Sequence, residues 1–186
     1  FIDQLNWYMD DEKLELGASD GGKGSEFVSL HPEQDSLSFF SKSAFYDLNA
    51  YIIDAKKVDE ILVADAAIYP GNGEVVVLGK AKMQRFEDAT LLVNTEDKYH
   101  NLFDATIDIK SKNEYAGLAS VNFRGRGVQE KVIKFDTLFV LEGQTIAKGI
   151  IDRSSDFKFN LQFQFKGDVV LEGLQKEFLY DGHYKV

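Results

Sequence analysis

The feature that most restricts the fold of this chain is the alternation of apolar and polar residues along short segments. The longest alternating run covers residues 157–166, with phenylalanine or leucine at every second position and lysine, asparagine or glutamine between them. Successive side chains of a β-strand point to opposite faces. The run therefore predicts a half-buried strand that presents five apolar residues on one face. These residues, a candidate apolar groove for lipid, are Phe157, Phe159, Leu161, Phe163 and Phe165.

Shorter runs of the same kind recur along the chain and predict further strands. They cover residues 13–16, 26–30, 36–40, 50–53, 91–93, 106–109, 118–123, 132–141 and 145–151. The chain contains 15 glycines and only two prolines, a composition that suits tight hairpin turns. The predicted fold class is therefore all-β, with stacked antiparallel hairpins that form an open two-sheet jelly roll or sandwich.

One segment, residues 54–62, fits two structures. Val58, Ile61 and Leu62 are spaced as on one face of a helix, and Asp54 is a suitable N-cap. The β-rich sequence of residues 63–69 that follows favours a strand instead. The sequence leaves a short helix and a strand both open here.

The length of the chain, 186 residues, is enough for one well-buried core and does not require two domains. The sequence begins with Phe1 instead of methionine. We therefore expect residues 1–186 to form a single all-β domain that is a piece of a longer protein.

The charge and the cysteine content exclude several classes of function. Lysine and arginine number 21 against 31 aspartate and glutamate residues, which gives a net charge of −10. A surface of this sign repels phosphate backbones, so nucleic acid is not an expected partner. The chain has no cysteine, which excludes disulfides, thiolate metal ligands and thiol nucleophiles.

The remaining residues show no pattern that is typical of an enzyme or a metalloprotein. The three histidines, His31, His100 and His183, are far apart in the sequence, and none has the spacing of a metal site. The acidic residues do not form the oxygen-rich loop that binds calcium. We therefore predict no catalytic residue, no metal site and no cofactor.

A tetrapeptide pattern recurs four times along the chain. Residues 63–83 predict one hairpin, with a tight turn at residues 70–73. Four segments share the pattern Asp or Asn, Ala, any residue, aliphatic, and their starts are 16, 23 and 16 residues apart. The pattern predicts stacked hairpins with alanines where strands approach closely, although chance recurrence of common residues explains it equally well. In such a stack Ala89 and Ala105 should lie opposite each other on neighbouring strands. The alanines are Ala50, Ala66, Ala89 and Ala105.

Two resemblances involve this region. Residues 64–69, ADAAIY, and 73–81, GEVVVLGKA, resemble the repeat of OstA-like lipopolysaccharide-transport domains, in which A-D-x-A-x-Y turns into G-x-V-x-L-x-G. That resemblance implies an open jelly roll that stacks end to end and holds acyl chains inside. The whole chain is also similar to segments of long, uncharacterised all-β envelope proteins of Gram-negative bacteria. This second resemblance implies a cell-envelope location, periplasmic or associated with the outer membrane.

We therefore expect a non-catalytic envelope domain that acts as a scaffold or handles a hydrophobic ligand such as lipid. The expected partners are neighbouring β-domains of the same parent protein, or a second copy joined end to end, and lipid. Residues 179–186 predict an unpaired end strand, with a turn at Asp181-Gly182. The alternative is a carbohydrate-binding or adhesion-type β-sandwich, which the 24 aromatic residues (one Trp, eight Tyr and 15 Phe) and the acidity favour.

Overall fold

The computed structural model describes residues 4–17 and 23–186, and these residues form sixteen β-strands and three short 3₁₀ turns. The strands are β1 (Gln4–Tyr8), β2 (Lys13–Gly17), β3 (Ser25–Val28), β4 (Ser38–Ser41), β5 (Ser43–Asp47), β6 (Ile52–Lys56), β7 (Ile61–Val63), β8 (Ala66–Tyr69), β9 (Glu74–Val77), β10 (Phe86–Val93), β11 (His100–Ser111), β12 (Glu114–Phe123), β13 (Lys131–Leu141), β14 (Gln144–Ile151), β15 (Gln164–Glu172) and β16 (Leu179–Lys185). The 3₁₀ turns are Pro32–Gln34, Gly79–Ala81 and Arg153–Ser155.

The strands form antiparallel sheets around a shared core. A nine-stranded sheet has the order β16-β15-β14-β13-β12-β11-β10-β8-β7, a five-stranded sheet has the order β1-β2-β5-β6-β9, and β3 pairs with β4. One hydrophobic cluster joins the two larger sheets, with Ala44 and Val75 from the five-stranded sheet and Ile107 and Leu171 from the nine-stranded sheet. The all-β, sandwich-like fold class is confirmed.

Each of the nine shorter alternating runs overlaps a strand. The open choice at residues 54–62 is resolved as strand, since β6 and β7 cover its two ends, and the helical alternative is wrong. Asp54 and Ala55 pair with Val76 and Val75 of β9. Lys57 has a left-handed backbone with φ 56°, which interrupts any helix. Pairing with a distant strand thus overrides the local helical spacing.

The hairpin predicted for residues 63–83 is wrong, because its two strands lie in different sheets. β8 pairs with β7 and β10, whereas β9 pairs with β6. The turn does form, since the amide of Gly73 donates to the carbonyl of Pro70 at 3.0 Å. The Gly73 carbonyl also accepts a hydrogen bond from the Val58 amide at 2.9 Å. This contact places the start of β9 beside the end of β6. The two halves of the OstA-like segment consequently belong to separate sheets.

Two of the four patterned alanines face each other as the repeat predicts. Ala89 of β10 and Ala105 of β11 are register partners, and both are fully buried. The preceding residues, Asp88 and Asp104, have left-handed backbones with φ 55° and 47°, a conformation that aspartate tolerates. The register shifts on both sides of Ala89, so this copy of the pattern lies at β-bulges, which increase strand twist.

The other two alanines do not occupy equivalent positions. Ala66 is buried in β8 and pairs with Val93 of β10. Ala50 is exposed in the turn between β5 and β6. The four segments are therefore not successive rungs of one stack. Of the four alanines, only those of β10 and β11 face each other.

The predicted end strand exists, since β16 lies at the edge of the nine-stranded sheet. The turn predicted at Asp181-Gly182 is wrong, because both residues pair within β16. Gly182 faces Gly167, and a Cβ on Gly182 would lie 2.3 Å from the carbonyl oxygen of Lys166. Glycine here permits close approach of two backbones instead of a reversal. Association through this edge stays a prediction.

One buried histidine is expected to make the stability of the fold depend on pH. A ring nitrogen of His100, Nε2, lies 2.7 Å from the carbonyl oxygen of Gln175, and the Phe178 ring packs against the imidazole. Burial lowers the pKa of His100, although the Gln175 hydrogen bond and the charge of Glu177 oppose this effect. We infer that the neutral ring donates to Gln175.

The unfolded chain therefore takes up a proton at His100 before the folded chain does, starting near the ordinary pKa of about 6.5. We expect the free energy of unfolding to be highest above that pH and to fall as the pH drops through the lowered pKa. Urea titrations at several pH values between 7.5 and 5 measure the fall. His100→Gln keeps a hydrogen-bond donor toward Gln175 and should reduce the fall in the free energy of unfolding between pH 7.5 and 5. The same fall in this variant and in the wild type would contradict the role given to His100. The lowered pKa of Asp108 acts at more acidic pH.

Candidate functional site

The alternating run at residues 157–166 does not form the predicted strand. The Asn160 side-chain oxygen accepts hydrogen bonds from the amides of Gln162 and Phe163 at 2.8 and 2.9 Å, and the chain reverses there. The Phe159 amide then donates to the Phe163 carbonyl, and the Phe165 amide to the Phe157 carbonyl. An asparagine turn thus folds the run back on itself, and only its end, from Gln164, belongs to β15.

The five predicted groove residues consequently do not share one face. Phe157 and Phe165 are buried, and Phe159 is half-buried; their rings pack around Tyr180, 4.7 Å from Phe159 and 5.3 Å from Phe165 between ring centroids. Leu161, in the turn, is 78% exposed and Phe163 is 40% exposed. Three residues therefore belong to an aromatic part of the core, and two point outward.

An open apolar cavity of about 340 Å³ lies instead between the five-stranded sheet and the β3–β4 pair. We call it the small-sheet groove. Tyr46, Ile53 and Val77 line it from the five-stranded sheet, and Phe27 and Phe39 from the β3–β4 pair. The Phe27 and Phe39 rings are stacked, with centroids 5.4 Å apart. Aromatic and aliphatic side chains of this kind form the walls of most small-molecule sites.

One wall of the groove continues a row of apolar side chains that crosses all five strands. Cross-strand pairing links Trp7 to Leu14, Leu14 to Tyr46, Tyr46 to Ile53, and Ile53 to Val77. Cross-strand partners point to the same face, so the row leads from the groove to Trp7, which is 60% exposed on the edge strand β1. Sequence reasoning missed this row because its members come from five separate strands.

The rim of the groove contains a strained turn. The Leu78 amide donates to the Lys82 carbonyl at 2.8 Å, closing the loop that contains Lys80 and Ala81. These two residues have φ of 60° and 58°, which costs roughly 1–2 kcal/mol for each L-residue. The Gln34 side-chain amide donates to the Ala81 carbonyl and holds the turn. Lys80 is the only charged residue among the described residues that line the groove.

The opposite face of the same sheet is polar and aromatic. An open depression there, with a volume of about 430 Å³, is lined by Phe45, Ile52 and three charged residues, Lys13, Asp47 and Asp54. Nearby on this face the Tyr8 hydroxyl donates to Glu15 at 2.8 Å, which raises the pKa of Tyr8 and lowers that of Glu15. Exposed rings beside carboxylate acceptors can stack on a sugar and bind its hydroxyl groups.

A buried polar network joins three distant parts of the chain. The Asp65 carboxylate accepts hydrogen bonds from the Thr145 amide at 3.0 Å and from the Thr145 hydroxyl at 2.5 Å. The Thr145 hydroxyl also bonds to the hydroxyl of Tyr115, whose pKa is raised by burial. Both Thr145 and Tyr115 are fully buried, so no substrate can reach this hydroxyl and the network is structural.

Residues 4–17 and 23–186 contain no group of three or more His, Asp or Glu side chains placed to hold a metal ion. Within the same residues, no helix has the length and apolar character needed to cross a membrane. Comparison with protein-family models, with curated proteins and with solved structures finds no significant match to this chain.

Proposed function

We propose that this domain is a non-catalytic, hydrophobe-handling segment of a cell envelope, and that it binds an acyl chain with an anionic head group in the small-sheet groove. The observation that carries the proposal is an open apolar cavity with a single lysine at its rim. Its volume of about 340 Å³ falls within the range of roughly 300–1,000 Å³ that is typical of ligand pockets. The envelope location is supported by the sequence resemblances alone.

The chain of the ligand supplies most of the expected affinity. Burial of one methylene contributes about 0.8 kcal/mol, which corresponds to about a fourfold change in the dissociation constant. Lys80 is exposed, and a solvated ion pair contributes about 1 kcal/mol or less. Lys80 therefore orients the head group at the mouth, while Phe27, Ile53 and Val77 contact the chain.

The test is displacement of a fluorescent fatty-acyl probe by octanoate, decanoate and dodecanoate. Affinity should rise about fourfold per methylene until the groove is filled. Ile53→Lys places a cationic side chain in the groove and should weaken binding strongly. Ile52→Lys is the matched control, because Ile52 lies on the same strand but lines the depression on the opposite face. Equal loss in both variants, or wild-type protein that binds no fatty acid, would contradict the proposal.

The polar and aromatic face supports carbohydrate binding as the second candidate function. Phe45 is 42% exposed between the carboxylates of Asp47 and Asp54. If this face binds a sugar, Phe45→Ala should abolish retention on an oligosaccharide array and Ile53→Lys should not. The two variants thus separate the two candidate functions.

A further inference from the structure

Three cationic side chains and one histidine surround a small depression at the edge of the nine-stranded sheet that β16 forms. The depression has a volume of about 210 Å³ and is lined by Arg153, Lys166, His183 and Lys185, together with Gln164 and two aromatic residues. Lys166 faces His183 across β15 and β16, and Gln164 faces Lys185 in the same ladder. Arg153 joins them from the 3₁₀ turn Arg153–Ser155.

The clustering is unusual for a chain with a net charge of −10, because no carboxylate lines this depression. Arg153, Lys166 and Lys185 make no ion pair with another described residue, although several other lysines and arginines do. The register pairs Lys166 with His183 and Gln164 with Lys185, so Lys166 and Lys185 lie diagonally across the two strands, a spacing of about 7–8 Å in such ladders. An anion between the two lysines would offset their mutual repulsion.

The nearby carboxylates do not neutralise the cluster. Asp156 is engaged by the Lys158 ammonium at 3.3 Å and by the Gln164 amide at 2.9 Å. Asp168 and Asp181 face each other in the next row of the β15–β16 ladder on the same side. Those two charges lie two residues further along the strands, about 7 Å away. This is within the screening length of about 8 Å at physiological ionic strength, so they weaken anion binding without forming an ion pair with the cluster.

The positive charge of the cluster favours a phosphate monoester over a singly charged carboxylate. An arginine presents a planar fork of N–H donors that fits two phosphate oxygens, and lysines add compact positive charges. A phosphate monoester carries a charge of about −1.5 to −2 near pH 7 and three acceptor oxygens. A site with one arginine, two lysines and a histidine supplies donors for all three.

We propose that the depression formed by Arg153, Lys166, His183 and Lys185 binds a single phosphate monoester. The site shares no residue with the small-sheet groove, so this proposal does not depend on the acyl-binding function. The proposed site is consistent with the absence of nucleic-acid binding that the negative net charge predicts. One local cluster can bind one phosphate group, but it does not neutralise a polyanion.

Isothermal titration with inorganic phosphate, at constant ionic strength, tests the site. Arg153→Gln should weaken binding by up to about fivefold, because Arg153 is exposed and a solvated ion pair contributes about 1 kcal/mol or less. Lys185→Gln, at the exposed end of β16, should weaken binding in the same direction. Arg126→Gln removes the same charge from an exposed arginine outside the depression and should leave binding unchanged. Asp168→Asn should tighten it.

Glycerol phosphate and vesicles of phosphatidic acid in phosphatidylcholine distinguish a soluble phosphate from a lipid head group. If wild-type protein binds glycerol phosphate or the vesicles and Arg153→Gln binds them more weakly, the proposal is supported. The probe that binds shows whether the phosphate belongs to a soluble molecule or to a lipid. Phosphate binding that is equal in wild type, Arg153→Gln and Lys185→Gln would overturn it. Lack of binding to inorganic phosphate, glycerol phosphate and the vesicles by folded wild-type protein would also overturn it.

Discussion

Phe165→Asp is expected to unfold the domain, whereas Leu161→Asp, four residues earlier in the same alternating run, is expected to leave it folded. Phe165 is 1% exposed and packs against Phe157, Phe159 and Tyr180. A buried charge without a partner costs several kcal/mol, and the lost ring adds about 3–5 kcal/mol. The sum of these two costs is comparable to the free energy of unfolding of a typical domain, roughly 5–15 kcal/mol. Leu161 already faces water in the asparagine turn.

Thermal unfolding followed by circular dichroism measures both variants beside the wild type. Leu161→Asp should melt within a few degrees of the wild type, and Phe165→Asp should show no cooperative transition. If Leu161→Asp unfolds the domain, residues 157–165 form a continuous core strand after all. If Phe165→Asp stays folded, the aromatic part of the core is open to water.

Asp65→Ala is expected to lower the free energy of unfolding by about 3–5 kcal/mol. The carboxylate accepts hydrogen bonds from the amide and the hydroxyl of Thr145, which is fully buried. Hydrogen bonds to a charged group contribute roughly 1.5–3 kcal/mol each, and donors left unpaired in the core add a desolvation cost. The variant also removes the side-chain hydrogen bonds that connect the β7–β8 turn to β14.

Urea denaturation measures the difference, with Asp136→Ala as the control. Asp136 is an exposed carboxylate of β13 without a side-chain hydrogen bond or ion pair to another described residue, so its removal should change the free energy of unfolding by less than about 0.5 kcal/mol. Similar values for the two variants would show that the Asp65–Thr145 contacts contribute little.

Local residue patterns indicate the fold class and most strand positions. Alternation is a local property, because each side chain's face depends only on its neighbours along the strand. Runs such as residues 132–141 and 145–151 therefore indicated β13 and β14 nearly to their ends. Ala89 and Ala105 do face each other as predicted, but they do so within the β10–β11 hairpin and not as rungs of a stack.

Which strands pair, and where the candidate sites lie, depend on contacts between residues that are distant in the sequence. Residues 70–73 turn as the sequence predicts, yet β9 pairs with β6 because that register completes the five-stranded sheet. At residues 157–166, side-chain hydrogen bonds of Asn160 outweigh the alternation and reverse the chain. The row from Trp7 to Val77 and the cationic depression each combine residues that are distant in sequence. Such sites depend on long-range register, which local residue patterns do not encode.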